Sequence, residues 1–389
     1  MFHYLAPILS DIWGPFRLLE SYTVLMAFGA GTAAIFTWFF LPRVWNFLPA
    51  DQGRQNAVDS HKAKNKPTGG GFFIIIFMLP WLFFALPFYP ILWEIVGCLA
   101  LCMLTGYFDD CSVRPWGEVK KGFLDLLIAL LTSLVLCQGQ TTVLWLPFVK
   151  GSFNLPVWGF IPLSTVILWI TINATNCSDG VDGLAGILSL LSLFYLAGFM
   201  YVVIGNKIVA DYLLLPHNSL GAAWAVLLFT GAGALAGYLW YNASPSLILM
   251  GDAGSRFLGL FVGIAVMASG NPFLILVVAP VILANGGTGM VKILLLRGLR
   301  RMGFDVTPAA GTTTDFSVPT DTTHPSSSAR NNMKGHSKKF VDLLHSIRFP
   351  LHDHCRNRLG WSDSQVLVRF LLVQTFVTPL LLVILVKLR

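Results

Sequence analysis

Most of this 389-residue chain is taken up by apolar runs long enough to cross a lipid bilayer. They fall roughly at 22–41, 72–89, 91–108, 123–137, 156–174, 184–204, 220–241, 247–268, 272–296 and 366–387, close to the ~20 residues a spanning helix needs. Hydrocarbon offers the backbone no hydrogen-bond partners, so such runs must fold as helices. The expected fold is all-α: a polytopic membrane protein of about ten transmembrane helices. Pro80 and Pro87 in the second run are tolerable where neighbouring helices satisfy the freed carbonyls. Charged residues make up 12% of the chain, about half the share in a soluble domain. The first run is too long for a cleaved signal core, and only Arg17 precedes it as a basic residue, so an uncleaved span is expected. The six cysteines form no CxxC pair or Cys/His ligand spacing and read as small apolar packing residues.

The net charge of +7 is unevenly distributed. The loops after odd-numbered runs hold 18 of the 26 Lys and Arg residues, and the opposite side holds 5. Basic loops stay cytoplasmic, which places the odd loops inside and both termini outside. The charge therefore reads as topology, and no nucleic-acid partner is expected. Residues 305–338, rich in Thr, Ser, Pro, Gly and Asn, read as a flexible cytoplasmic insertion in what is otherwise a single integral-membrane domain over 1–389. The stretch 341–361 reads as a short amphipathic helix followed by a His-rich turn and a basic cluster.

Only 19 residues are acidic, yet Asp109, Asp110, Asp179, Asp182 and Asp252 all stand at cytoplasmic ends of apolar runs. Carboxylates at the membrane boundary are costly unless they face a watery cavity, a partner charge or a metal. These five lie in GYFDD (106–110), NATNCSDGVDGLAG (173–186) and MGDAGSR (250–256). The predicted topology lets them converge on one cytoplasm-facing cavity, suited to Mg²⁺ and phosphate. Adjacent carboxylates such as Asp109 and Asp110 repel each other unless a cation neutralises them. Asn176, Asp179 and Asp182, spaced by three, would share one face of a helical turn. They offer donors and acceptors for a base edge, a sugar hydroxyl or a hydrated metal. Mg²⁺ needs only one or two carboxylates beside water and phosphate oxygens. His352 and His354, in PLHDH, can donate to phosphate and titrate near neutrality.

Five blocks in order carry a family resemblance: HKAKNKPTGGG (61–71), GYFDD, NATNCSDGVDGLAG, WYNASPSLILMGDAGS (240–255) and PLHDH with GWSDSQVLVRF (350–370). Together they resemble the polyprenyl-phosphate N-acetylhexosamine-1-phosphate transferase superfamily, most closely its phospho-N-acetylmuramoyl-pentapeptide transferase branch. The resemblance covers most of the chain. It implies Mg²⁺-dependent transfer of phospho-MurNAc-pentapeptide from UDP-MurNAc-pentapeptide to undecaprenyl phosphate, giving lipid I and UMP in peptidoglycan biosynthesis. It implies residence among the lipids of the bacterial inner membrane, and the homodimer common in the family.

Residue by residue, the resemblance makes Asp109, Asp110, His352 and His354 catalytic. Thr68, Asn176, Asp179, Asp182 and Asn242 become substrate-binding, and Asp252 the main metal ligand, with Asp179 beside it. Lys62 or Lys64 takes the place of a family lysine found where this chain has Ala63. The basic residues Lys120, Lys121, Arg356 and Arg358 would reduce repulsion between the two anionic substrates. Other departures are Asp353 between the two histidines and Leu249 where a phenylalanine is usual. Two other readings fit the same features in part. One is a sister enzyme that transfers GlcNAc-1-phosphate. The other is a cation-coupled transporter, disfavoured because transporters place such acids near mid-membrane.

Overall fold

The computed structural model describes residues 1–51, 65–149, 151–302 and 348–387. The expected insertion at 305–338, the expected amphipathic helix at its 341–347 end, and Lys62 and Lys64 lie outside them. The described chain is predominantly helical, with one two-stranded hairpin. Helix α1 (Phe2–Ile12) leads through a 3₁₀ turn into α2 (Tyr22–Val44). Then come α3 (Gly71–Ala85), α4 (Pro90–Asp110) and α5 (Glu118–Cys137). Strands β1 (Thr142–Trp145) and β2 (Ser152–Leu155) pair antiparallel, with Thr142 opposite Leu155. Next are α6 (Val157–Ser178), α7 (Leu184–Gly198), the short α8 (Lys207–Tyr212), α9 (Gly221–Asn242) and α10 (Gly251–Ala268). Helices α11 (Leu274–Val278), α12 (Thr288–Arg301), α13 (Leu351–Leu359) and α14 (Asp363–Lys387) complete the chain.

Eight of the described helical segments are long and apolar enough to cross a membrane. The apolar α3 is shorter at 15 residues, and α5 carries charges within its length. Each expected run coincides with helix. The ninth differs most: it is a broken path from α11 through a π-helical turn at Leu283–Gly287 into α12. Asn285 and two glycines interrupt the apolar sequence there, and Gly286 packs against the Ala174 backbone of α6 with no space for a Cβ. The hairpin, α1 and α8 have no counterpart among the expected runs. A further difference concerns the last loop: the His-rich segment expected as a turn is the helix α13 itself.

The centre of the bundle is α9 and α10, with 83% and 89% of their membrane-length windows buried, against 17% for the peripheral α14. Helix α9 runs along α2, and α10 is embraced by α4, α6 and α7. In lipid, helices gain little from excluding apolar surface, so close packing of small residues must hold them together. At the α3–α10 crossing, Gly71 and Gly254 bring backbone against backbone, with no space for a Cβ on Gly71. Gly97 on α4, by contrast, has nothing within 4 Å of where a Cβ would stand. Gly71→Ala should therefore destabilise the detergent-solubilised protein by about 1–3 kcal/mol through overpacking. Gly97→Ala should be neutral or stabilise by roughly 0.5 kcal/mol, as expected for glycine in a helix interior. Thermal unfolding of the two variants side by side checks this.

Candidate active site

The site grows from the first turn of α10. Gly251 adopts φ +70°, a left-handed conformation that favours glycine, and a Cβ there would collide with Gly69 and the Asp110 carboxylate. The chain enters the helix pinned on one side by backbone pairing: Leu249 N–H donates to Pro67 O (2.8 Å), Gly70 N–H to Leu249 O (3.0 Å) and Gly71 N–H to Met250 O (3.2 Å). On the other side, Asp110 accepts from the backbone N–H of Asp252 and of Ala253, both at 3.0 Å. Those amides begin a helix and have no partner within it, so a carboxylate there also meets the positive end of the helix dipole. Gly106 permits the approach, because a Cβ on it would overlap the Asp252 carbonyl and the Ala253 amide.

Capping by Asp110 leaves Asp109 and Asp252 facing each other across Lys121. The Lys121 ammonium lies 2.6 Å from Asp109 Oδ2 and 2.9 Å from Asp252 Oδ2. All three side chains are largely buried, at 13% exposure or less. Asp109 Oδ1 accepts from Trp116 N–H at 2.7 Å, which folds the α4–α5 loop over the carboxylate. Lys120 turns away, its ammonium 3.5 Å from the centroid of the Trp116 ring. Of the two basic residues expected in this loop, only Lys121 thus reaches the carboxylates.

A second group adjoins the first through the 67–71 and 249–250 backbone. Asp182 Oδ2 accepts from Ser246 N–H at 3.0 Å, and Lys66 Nζ donates to Ser246 Oγ at 3.1 Å. Asn242 is buried and donates to Ile248 O at 2.8 Å, with no partner for its Oδ1 among the described residues. Thr68 is half-buried, its N–H on Pro49 O. Asn176, Asp179 and Asp182 do not share a helical face. Helix α6 stops at Ser178, Asp179 takes a non-helical conformation as its cap, and Gly183 turns the chain with φ +76° into α7. Two glycines and a left-handed turn override the three-residue spacing, leaving Asn176 on the helix and both aspartates on the turn.

The last loop docks onto that turn. The His352 ring sits against Gly180, where a Cβ would overlap its Nε2. Asn285 Oδ1 accepts from His352 N–H at 2.9 Å and lies 3.1 Å from His352 Nδ1. The backbone amide can only donate, so this oxygen also takes the Nδ1 proton, and Nε2 is left as the acceptor nitrogen. Burial, reinforced by the Arg356 charge, lowers the His352 pKa to about 3. The expected titration near neutrality does not apply to this histidine. His354 accepts at Nδ1 from Arg348 N–H (3.3 Å). Arg356 is engaged by Asp363 at 2.8 Å, while Arg358 lies exposed.

Two participants, Lys66 and Asn285, were not singled out from the sequence, and a third, Lys121, was named only among several basic residues. Lys66 is less conspicuous there than Lys62 and Lys64, although it directly precedes Pro67 and Thr68. Asn285 is signalled only as an amide within an apolar run, and its partner is 67 residues away. Lys121 reads as one of several loop charges; its distinctive role depends on the fold of 111–117.

Among the described residues, no three His, Cys, Asp or Glu side chains gather as a ready-made metal-ligand set. The donor chemistry nevertheless fits Mg²⁺. Two hard carboxylates already converge on one cation, the Lys121 ammonium, and Mg²⁺ takes its remaining ligands from water and phosphate.

Residues 92–270 match the glycosyl transferase family 4 profile. Proteins named phospho-N-acetylmuramoyl-pentapeptide-transferase from two strains of Treponema pallidum are each 41% identical over 99% of this chain and 97% of their own length. One of the same name from Bartonella quintana is 28% identical over 88% of this chain and 87% of its own. With that identity sustained from end to end, the chain belongs to the phospho-N-acetylmuramoyl-pentapeptide-transferase family and is a multi-pass membrane transferase.

Proposed function

We propose that this protein transfers phospho-MurNAc-pentapeptide from UDP-MurNAc-pentapeptide to undecaprenyl phosphate, giving lipid I and UMP at the cytoplasmic face of the bacterial inner membrane. The printed names of the relatives support the substrates. The observation that carries the reaction class is the convergence of Asp109 and Asp252 on a single cation position at the start of α10. In the reaction a phosphate oxygen of the lipid forms a bond to the sugar-side phosphorus, and the bond from that phosphorus to the UMP oxygen breaks. Both substrates are anions, so catalysis is chiefly alignment and charge compensation.

Asp252 and Asp109 would hold Mg²⁺, with Asp179 as a further carboxylate on the neighbouring turn. The metal, when bound, supplies Lewis-acid compensation for charge on the departing UMP. Lys121 fills that cation position in the structure and would offer its ammonium to a phosphate oxygen beside the metal. Asp110 acts by fixing the helix that presents Asp252. Asn242, Asp182 and Lys66 form the polar wall suited to the nucleotide, with Thr68 and Asn176 at its edges. His352, held neutral with Nε2 as acceptor, orders the last loop against the aspartate turn, and His354 stands next to it. Two copies of the chain would form the homodimer.

The test is UMP release from detergent-solubilised protein given undecaprenyl phosphate, UDP-MurNAc-pentapeptide or UDP-GlcNAc, with and without Mg²⁺. Metal-dependent release with the muramoyl donor alone is expected; release with UDP-GlcNAc alone would move the protein to the sister activity. Asp252→Ala should lower kcat by about 10²–10³-fold or more, the scale of losing a preorganised charge in such sites. Lys121→Met should lower kcat to a similar degree, and raised Mg²⁺ should not restore it.

His352 yields a pH prediction. Its folded pKa of about 3 lies below the unfolded value of about 6.5. The unfolded chain therefore takes up this proton first, and stability falls as pH drops below about 6.5. At pH 5 the loss amounts to about 2 kcal/mol. His352→Gln should show a correspondingly smaller drop in unfolding midpoint between pH 7.5 and pH 5.

A further inference from the structure

Below the carboxylate–lysine cluster, one helical turn deeper in the bundle, lies a second ion pair that the proposed reaction does not use. Arg256 is fully buried and Asp125 is 1% exposed. The guanidinium reaches one carboxylate oxygen twice, Nε to Oδ1 at 2.8 Å and Nη2 to Oδ1 at 2.5 Å. Arg256 Nη1 has no partner among the described residues. Two charges buried between membrane helices are costly, and such a pair adds little net stability over well-packed apolar side chains. Its presence therefore calls for a role other than cohesion.

The spacing supplies one. Asp125 follows Lys121 by four residues on α5, and Arg256 follows Asp252 by four on α10. Residues four apart share a helix face, so α5 and α10 meet through two ion pairs one turn apart. The polarity alternates: α5 presents positive then negative, α10 negative then positive. Sliding one helix past the other by a turn, about 5.4 Å, would set Lys121 against Arg256, or Asp125 against Asp252. Like charges at that separation in a poorly screened interior are strongly disfavoured.

We infer that Asp125 and Arg256 are positioning residues: their pair fixes the axial register of α5 on α10 and so holds the Lys121 ammonium between Asp109 and Asp252. This rests on the proposed transferase reading for its kinetic consequence, but not for its structural one. Neither residue touches substrate; both act through Lys121.

The test compares two double variants with the wild-type full-length protein. Asp125→Leu with Arg256→Met removes both charges at similar volume. Asp125→Arg with Arg256→Asp keeps a buried ion pair but makes each helix uniform in sign, so that slipping brings opposite charges together. Register is read without activity from spin labels on Val119→Cys, exposed in the first turn of α5, and Leu247→Cys, exposed in the segment that enters α10. The exposed Cys111 and Cys177 are replaced by serine beforehand. Wild type should give one narrow distance distribution. Both double variants should broaden it or shift it by up to a turn while unfolding within a few degrees of wild type. Their kcat for UMP release should fall at least tenfold with KM for the UDP donor changed less than twofold, and Arg256→Lys should keep kcat within threefold.

An unchanged distance distribution and unchanged kcat in the charge-exchanged variant would overturn the inference. So would a kcat loss that merely follows a lowered unfolding temperature. If the apolar double variant does not fold, the charge-exchanged variant decides alone. Wild-type protein that releases no UMP, yet whose variants shift the distances, would refute the transferase reading and leave the register role standing.

Discussion

The Asp110 carboxylate accepting the Asp252 and Ala253 amides in the first turn of α10 is the contact on which the site's geometry depends. It commits one member of an adjacent acidic pair to the backbone and thereby frees the other to face Asp252. The same contact explains the surrounding glycines. Gly106 admits the α10 backbone to α4, and Gly251 turns the chain so that its next two amides point at the carboxylate. Helix α10 is the most buried of the long helices, so what is anchored at its start is anchored against the whole bundle.

From that anchor the five polar blocks join in sequence around the site. The 67–71 segment is hydrogen-bonded to the residues entering α10, Lys66 and Asp182 meet at Ser246, and His352 rests on the turn that carries Asp179 and Asp182. Each junction involves a backbone group or a glycine. The blocks are therefore spaced by main-chain contacts, and the side chains left over are those to which the proposed reaction gives chemistry: Asp109, Asp252 and Lys121, with the Asn242 oxygen, which has no partner among the described residues.

Much of this was legible in the sequence. Length and hydropathy mark the spanning helices because the bilayer enforces one secondary structure on any apolar run of that length. The carboxylates at run ends announce a site because nothing else offsets their desolvation. Less visible was everything set by contacts distant in the chain. The equivalence of Asp109 and Asp110 is broken only by which of them meets α10. The regular spacing of Asn176, Asp179 and Asp182 suggests a helix, but Gly180 and Gly183 end it. His352 reads as an ordinary titrating histidine until Asn285 and Gly180 enclose it. Arg256 and Asp125 fall within the expected runs 247–268 and 123–137, but their pairing depends on α5 lying against α10.

The glycine contact between α4 and α10 has a consequence for how the enzyme handles charge. With no side chain between the two backbones, the separation of the helices that present Asp109 and Asp252 cannot be adjusted by repacking a side chain between them; it moves only if whole helices move. Water around two anions must reorient as they approach each other, and that reorganisation is a large part of the barrier in solution. A frame whose dipoles are already fixed has little left to rearrange. The stiffness of a glycine–backbone crossing thus becomes a kinetic property, with the reorganisation energy met when the chain folds and not at each turnover.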